Sequence, residues 1–266
     1  MPNDRRKLTQ LLDNVDNNRP SSHRRTNRET NEPSTMKDYT RKIRKGEYQY
    51  ITEDIDNRFS TTQPNWTKYV AVLHKLVADE VDYHRSGSSV PLASEMLDRL
   101  SGDCEDQTVL LSNLFVAAGF DVRIILVEHM GDKNCHLLPQ VRIPEDTDTG
   151  TDRLREAYDE LFGWRPGKMA WTRINGDPYL IADAEWSSYV GDRSSLTGDY
   201  IKETSSGWSW HNIMEKWMVD SKTSHSQGFS VQKKKTASSK SSSSRRRKKG
   251  FFDQLDEVAD AIAESM

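Results

Sequence analysis

The chain has 266 residues, 34% hydrophobic and 30% charged, with 38 Lys/Arg against 41 Asp/Glu. That length suits one ordinary domain with tails or two small ones, and the low apolar fraction implies that part of the chain stays outside any core. No run approaches the ~18 apolar residues of a membrane-spanning helix, Met1 to Arg6 lack the apolar centre of a secretory signal, and two cysteines, Cys104 and Cys135, exclude a disulfide framework or a cysteine-rich zinc site. A reducing, cytoplasmic setting is the expectation.

The charge is unevenly spread. Residues 1–45 carry 12 basic and 6 acidic side chains, and residues 46–220 carry 16 and 30. Residues 221–249 hold 10 basic and no acidic side chains, and residues 250–266 hold 5 acidic and no basic ones. The segment 1–45 is rich in Asn, Arg, Ser and Thr and is expected to be a disordered basic arm. The Ser/Lys/Arg run 221–249 is expected to be a disordered basic linker, since neither composition offers enough apolar surface to offset chain entropy. Such a linker is either a solvated tail or a contact for a polyanion or protein partner through charge; no aromatics interleave with its basic clusters, so base stacking has no support. In 250–266, Phe251, Leu255, Val258 and Ile262 share one helical face, giving a short acidic amphipathic helix that docks on its own domain or on a partner.

The central segment 46–220 reads as the folded domain. Trp66 to Val81 keeps a helical apolar beat after Pro64. A short helix follows over 92–100. Asp103 is placed to cap a third helix from Cys104 to Ala118, with Gly119 as its stop, and Asp103-x-x-Asp106 has the spacing of a capping box. Val122 to Val127 reads as a strand, and Leu137 to Ile143 as another, in which Pro139 implies an edge or a bulge. Residues 151–162 read as a helix. Strands 169–174 and 179–182 flank the turn Asn175-Gly176-Asp177-Pro178. The Trp-rich stretch Trp208–Trp217 is expected to close the domain on a helix ending near Val219. Helices first and antiparallel strands after them make an α+β domain.

One constellation carries chemistry: Cys104, His136 and Asp183. A thiol attacks as thiolate, and the first turn of a helix favours an anion. A histidine on one strand and a carboxylate on the next can supply a base and its orienting group. Asp103, Glu105 and Asp106 oppose this, because their charge raises a thiol pKa. Glu185, two residues from Asp183, is a rival orienter. His129 has the look of a turn residue, Cys135 faces away from His136, and a zinc site from Cys104, His129, Cys135 and His136 fits no common spacing.

The stretch Ser101-Gly-Asp-Cys-Glu-Asp-Gln-Thr through Ala118-Gly-Phe-Asp-Val-Arg123 resembles the transglutaminase-like superfamily, cysteine enzymes with a papain-like fold. Asn134-Cys135-His136-Leu137-Leu138 is similar to the family's histidine element. Trp171 with Tyr179-Leu-Ile-Ala-Asp183-Ala-Glu-Trp186 is similar to its aspartate element. The resemblance spans about residues 66–190. It implies a nucleophile helix packed on an antiparallel sheet, with Cys104 as nucleophile, His136 as general base and acid, and Asp183 as orienter. It also implies a protein or peptide substrate and no cofactor, and it permits both hydrolysis of an amide or isopeptide bond through a thioester and amine transfer; water at about 55 M favours hydrolysis. The surplus between His136 and Asp183 is assigned to a helical insertion, about 144–168, over the cleft. A catalytically idle binding or assembly module acting through the basic tails is the alternative.

Overall fold

The computed structural model describes residues 2–16, 39, 41–44, 46–84, 92–131, 134–205, 207–219 and 221. The basic linker expected over 221–249, beyond its first residue Ser221, and the amphipathic helix expected over 250–266 lie outside the described residues.

A layer of helices covers one face of an antiparallel sheet. The helices are α1 (Pro2–Asp16), α2 (Ile51–Arg58), α3 (Asn65–Glu80), α4 (Ala93–Arg99), α5 (Cys104–Ala117) and α6 (Thr147–Phe162). A short parallel pair, β1 (Asp82–Tyr83) with β2 (Ser101–Gly102), leads into α5. The main sheet comprises β3 (Val122–Glu128), β4 (Cys135–Arg142), β5 (Trp171–Ile174), β6 (Asp177–Ile181) and β9 (Ile213–Val219), in the order β5-β6-β4-β3-β9 with every pair antiparallel. A hairpin of β7 (Ile201–Thr204) and β8 (Gly207–Trp210) stands apart. This is the α+β arrangement expected from the Cys104 stretch, with the cysteine helix α5 lying on β3 and β4.

The sheet's two faces follow from strand alternation. Val122, Ile124 and Leu126 on β3, with Leu137 and Val141 on β4, join the helices in the larger core. Ile125, Val127 and Leu138 face the other way and are covered by Leu196, Tyr200, Ile201 and Trp210. α3 sits at the centre of the helical layer, so Val70, Ala71, Val72, Leu73, Leu76 and Val77 are buried around most of its circumference. The Asn175-Gly176 turn takes positive φ at both residues, 53° and 91°, as a two-residue hairpin requires.

Three expectations are corrected. Residues 2–16 are not an unfolded arm: Leu8, Leu11, Leu12 and Val15, spaced i, i+3, i+4, i+7, are buried on one face of α1. Lys7 pairs with Asp98, Asn14 donates to Glu80 at 2.9 Å, and Arg58 reaches Asp13 at 2.9 Å, tying α1 to α4, α3 and α2. The Trp-rich stretch forms strands rather than a helix, because its aromatics alternate and β9 pairs with β3 along Val122–Val127. The surplus segment does form a helix, α6, but it packs through Leu154, Tyr158 and Phe162 into the helical layer and lines no part of the cleft at Cys104. Among the described residues no helix is long and apolar enough to cross a membrane.

Candidate active site

Cys104 is the first residue of α5, and the helix begins there because Asp103 caps it. The Asp103 Oδ1 accepts from the amides of Glu105 (3.1 Å) and Asp106 (3.3 Å), and Asp106 Oδ2 accepts from the Asp103 amide (3.3 Å), closing the capping box. Thr108, one turn on, donates its hydroxyl to the carbonyl of Leu137 at 2.9 Å and so fixes the helix against the histidine strand.

Pro139 explains the opening beside that strand. β6 pairs with β4 only along Gln140–Arg142, and the last bond is from the Ala182 amide to the Pro139 carbonyl at 2.9 Å. Proline has no N–H to continue the ladder, so the chain after Ala182 departs from β4 there. Pro139 therefore lies on an inner strand whose β6-facing side has, among the described residues, no strand beside it toward Cys135 and meets α5 instead, at Leu137. Cys104, Gln107, Thr108, Leu137, Asp183 and Glu185 line the resulting narrow cleft.

His136 and Asp183 come together as the sequence order implied. The imidazole is fully buried, its Nε2 is 3.2 Å from Asp183 Oδ2, and Trp186 stacks on it at 4.4 Å between ring centroids with an angle of 13°. Glu185 reaches the other nitrogen, with Oε2 3.5 Å from Nδ1. Cys104 Sγ, a ring nitrogen of His136 and a carboxylate oxygen of Glu185 all lie within 4.8 Å of one another. The two carboxylates weighed as rival orienters thus occupy opposite sides of one imidazole. The Asp183 Oδ1 accepts from the Glu185 amide at 3.1 Å, a tight turn that makes this possible.

The zinc arrangement that would join His129 and Cys135 does not assemble. His129 packs edge-on to Tyr200 with its Nε2 3.7 Å from Asp199, and the Cys135 sulfur contacts Met214 Sδ at 3.2 Å.

The surroundings hold Cys104 as a thiol. Burial pushes its pKa well above the ordinary thiol value, and the charges of Glu185, Asp103 and Glu105 push it further, while a hydrogen bond from the Leu137 backbone pulls it down.

Glu105 is shifted for the same reason. Burial, with the charges of Asp103 and Asp106, lifts its carboxyl to about 7 from 4.5, against a hydrogen bond from Tyr39. The folded state thus holds this proton more firmly than the unfolded chain does. The resulting stabilisation is complete below about 4.5 and is lost as pH rises through about 7. Glu105→Gln is accordingly expected to be more stable than the parent by about 2 kcal/mol at pH 8 and to gain little at pH 4, read by thermal unfolding at the two pH values. A gain independent of pH would contradict the assignment.

Two residues that sequence reasoning did not single out belong to the site. His74 on α3 is fully buried, and its Nε2 lies 3.1 Å from the Asp183 carbonyl oxygen. A carbonyl only accepts, so the proton sits on Nε2, and burial lowers the His74 pKa to about 4, keeping the ring neutral. Gln107 lines the cleft one turn from Cys104, and its buried carboxamide oxygen has no hydrogen-bond partner among the described residues.

Solved structures similar to this chain include a candidate cysteine protease from Cytophaga hutchinsonii, with 15% identity and a TM-score of 0.34 over 74% of this chain and 56% of that one. They also include LapG from Legionella pneumophila, with 14% identity and a TM-score of 0.33 over 62% of this chain and 80% of that one. LapG in its calcium-bound form gives 13% identity and a TM-score of 0.27 over 78% of each chain. The chain spans 56% of the length of the first of these. Its sequence matches no family model and no curated protein.

Proposed function

We propose that the chain is a cysteine enzyme that opens an amide or isopeptide bond in a protein or peptide through a thioester. The observation that carries this reading is the convergence of Cys104, at a capped helix start, with a buried His136 whose Nε2 faces Asp183 at 3.2 Å. Asp183 orients the ring and stabilises the imidazolium; its own backbone is held by His74. His136 accepts the thiol proton as sulfur attacks the carbonyl carbon, then delivers it to the leaving amine. The Cys104 amide and the Gln107 carboxamide are the donors offered to the oxyanion. Glu185 lies within 4.8 Å of both sulfur and imidazole, in space the substrate carbonyl needs, so substrate entry turns it aside. Hydrolysis is favoured over amine transfer because water at about 55 M wins unless a bound amine excludes it.

The thiol's raised pKa favours one other reading, an idle site on a domain that works by binding. p-Nitrophenyl acetate separates the two. The enzyme should give a burst of p-nitrophenolate and an acetyl group on Cys104 in the intact mass, both lost in Cys104→Ala. Adding an alkylamine then reports hydrolysis or transfer by whether acetate or the amide accumulates. The absence of any burst above the Cys104→Ala variant would leave only the binding reading.

A further inference from the structure

We propose that Cys104, His136 and Glu185 form a three-ligand site for a borderline-soft divalent cation, Zn²⁺ above all, and that occupancy silences the thiol. The binding claim stands on geometry alone; the silencing rests on the catalytic reading of Cys104.

The donor set is a sulfur, an imidazole nitrogen and a carboxylate oxygen, all within 4.8 Å of one another. Zinc takes these three donor types, with bonds of about 2.0–2.3 Å, which places ligand atoms about 3.5 Å apart. The His136 Nδ1 and Glu185 Oε2 are already 3.5 Å apart, and no pair in the set has to contract by more than about 1.3 Å. Asp183 supplies the outer support such a site uses: it faces Nε2 at 3.2 Å, so Nε2 keeps the proton, and Nδ1, which faces Glu185 at 3.5 Å, is the nitrogen that would take the ion.

Charge points the same way. Asp183 and Glu185 line the cleft, Asp103 and Glu105 flank Cys104, and no Lys or Arg is among the cleft-lining residues that the structure describes. The feature that hinders a free thiolate is what a dication neutralises. Sulfur and imidazole select against calcium and magnesium, which prefer oxygen ligands. On binding, the S–H bond gives way to S–Zn and the proton passes to solvent; no electron is transferred. Three protein ligands leave a fourth position for water or a small anion.

The test uses the full chain freed of metal by a chelator and titrated with Co²⁺ as a coloured substitute, then with Zn²⁺. One equivalent of Co²⁺ should produce a thiolate-to-cobalt charge-transfer band and the visible bands of a four-coordinate ion, and Zn²⁺ should displace it and protect Cys104 from iodoacetamide. Cys104→Ser should abolish the charge-transfer band, and Glu185→Gln should weaken affinity about tenfold or more, both variants being nearly isosteric and checked for folding by circular dichroism. Ca²⁺ and Mg²⁺ should leave the cobalt spectrum unchanged. Absence of saturable binding, a charge-transfer band that survives Cys104→Ser, or equal competition by Ca²⁺ would overturn the site. Thiol reactivity and p-nitrophenyl acetate turnover measured in chelator keep the two claims apart. An inert thiol with an intact cobalt spectrum defeats catalysis and upholds the metal site; a reactive thiol that Zn²⁺ does not protect defeats the site and leaves catalysis standing.

Discussion

His136→Gln is expected to slow acyl transfer about 100- to 10,000-fold, because the thiol cannot lose its proton without a base. Cys104 is held well above the ordinary thiol range by burial and by Glu185, Asp103 and Glu105, so few molecules carry a thiolate at neutral pH. In a site with a pre-formed ion pair the histidine would have acted before substrate arrived. Here its contribution falls in the attack itself, and the loss should appear in kcat more than in KM. Glutamine is the better replacement than alanine, since the imidazole is wholly buried against Trp186 and between two carboxylates. A variant that folds with the parent's thermal midpoint and keeps its kcat would remove His136 from the mechanism.

The second large effect concerns a glycine that touches no substrate. A Cβ at Gly102 would lie 2.5 Å from Asp106 Cβ, 2.6 Å from Asp106 Oδ2 and 2.8 Å from Met96 Cε. Asp106 cannot yield cheaply, since its Oδ2 accepts from the Asp103 amide and faces Arg99 Nη2, both at 3.3 Å. Gly102→Ala therefore combines overpacking with damage to the cap of α5. The expected cost is about 3 kcal/mol, a fall in Tm on the order of 10 °C by calorimetry. Because that cap holds Cys104 at the helix start, acyl transfer should fall in the molecules that remain folded. An unchanged Tm would mean that Gly102 is dispensable to the α4–α5 approach.

Much of this was legible in the sequence, and the failures have physical causes. The core helices α3 and α5 and the hairpin around Asn175-Gly176 announce themselves by apolar period, an Asp cap and positive-φ residues, all local signals. α1 was hidden by its neighbours: its Leu8–Val15 stripe is a full helical period, but the Asn/Arg/Ser/Thr-rich residues after it lower the average of any wide window. β7 to β9 were missed because tryptophans are equally at home on helix and strand, and what decides for β9 is its pairing partner β3, far away in the chain. Cys104, His136 and Asp183 were marked by motif; Cys104 and Asp183 line one cleft, and the buried His136 lies behind it with a ring nitrogen within 4.8 Å of Cys104 Sγ and Nε2 3.2 Å from Asp183. Glu185 was foreseen only as a rival to Asp183, whereas the turn at Asp183 allows both carboxylates to face one ring. His74 left a usable trace, since it stands four residues from Val70 and three from Val77 on the apolar face of α3; a histidine there needs a buried partner, which is the Asp183 carbonyl.

The coupling of Cys104 to His136 is the centre of the account, and the pH profile of Cys104 alkylation by iodoacetamide tests it most directly. It should be measured in chelator on Cys135→Ala, with and without His136→Gln. Two limbs are expected: a neutral-pH limb that needs His136 and falls about tenfold or more without it, and an alkaline limb, present in both proteins, where the Cys104 thiol ionises on its own. A single alkaline limb, identical in the two proteins, would contradict the coupling.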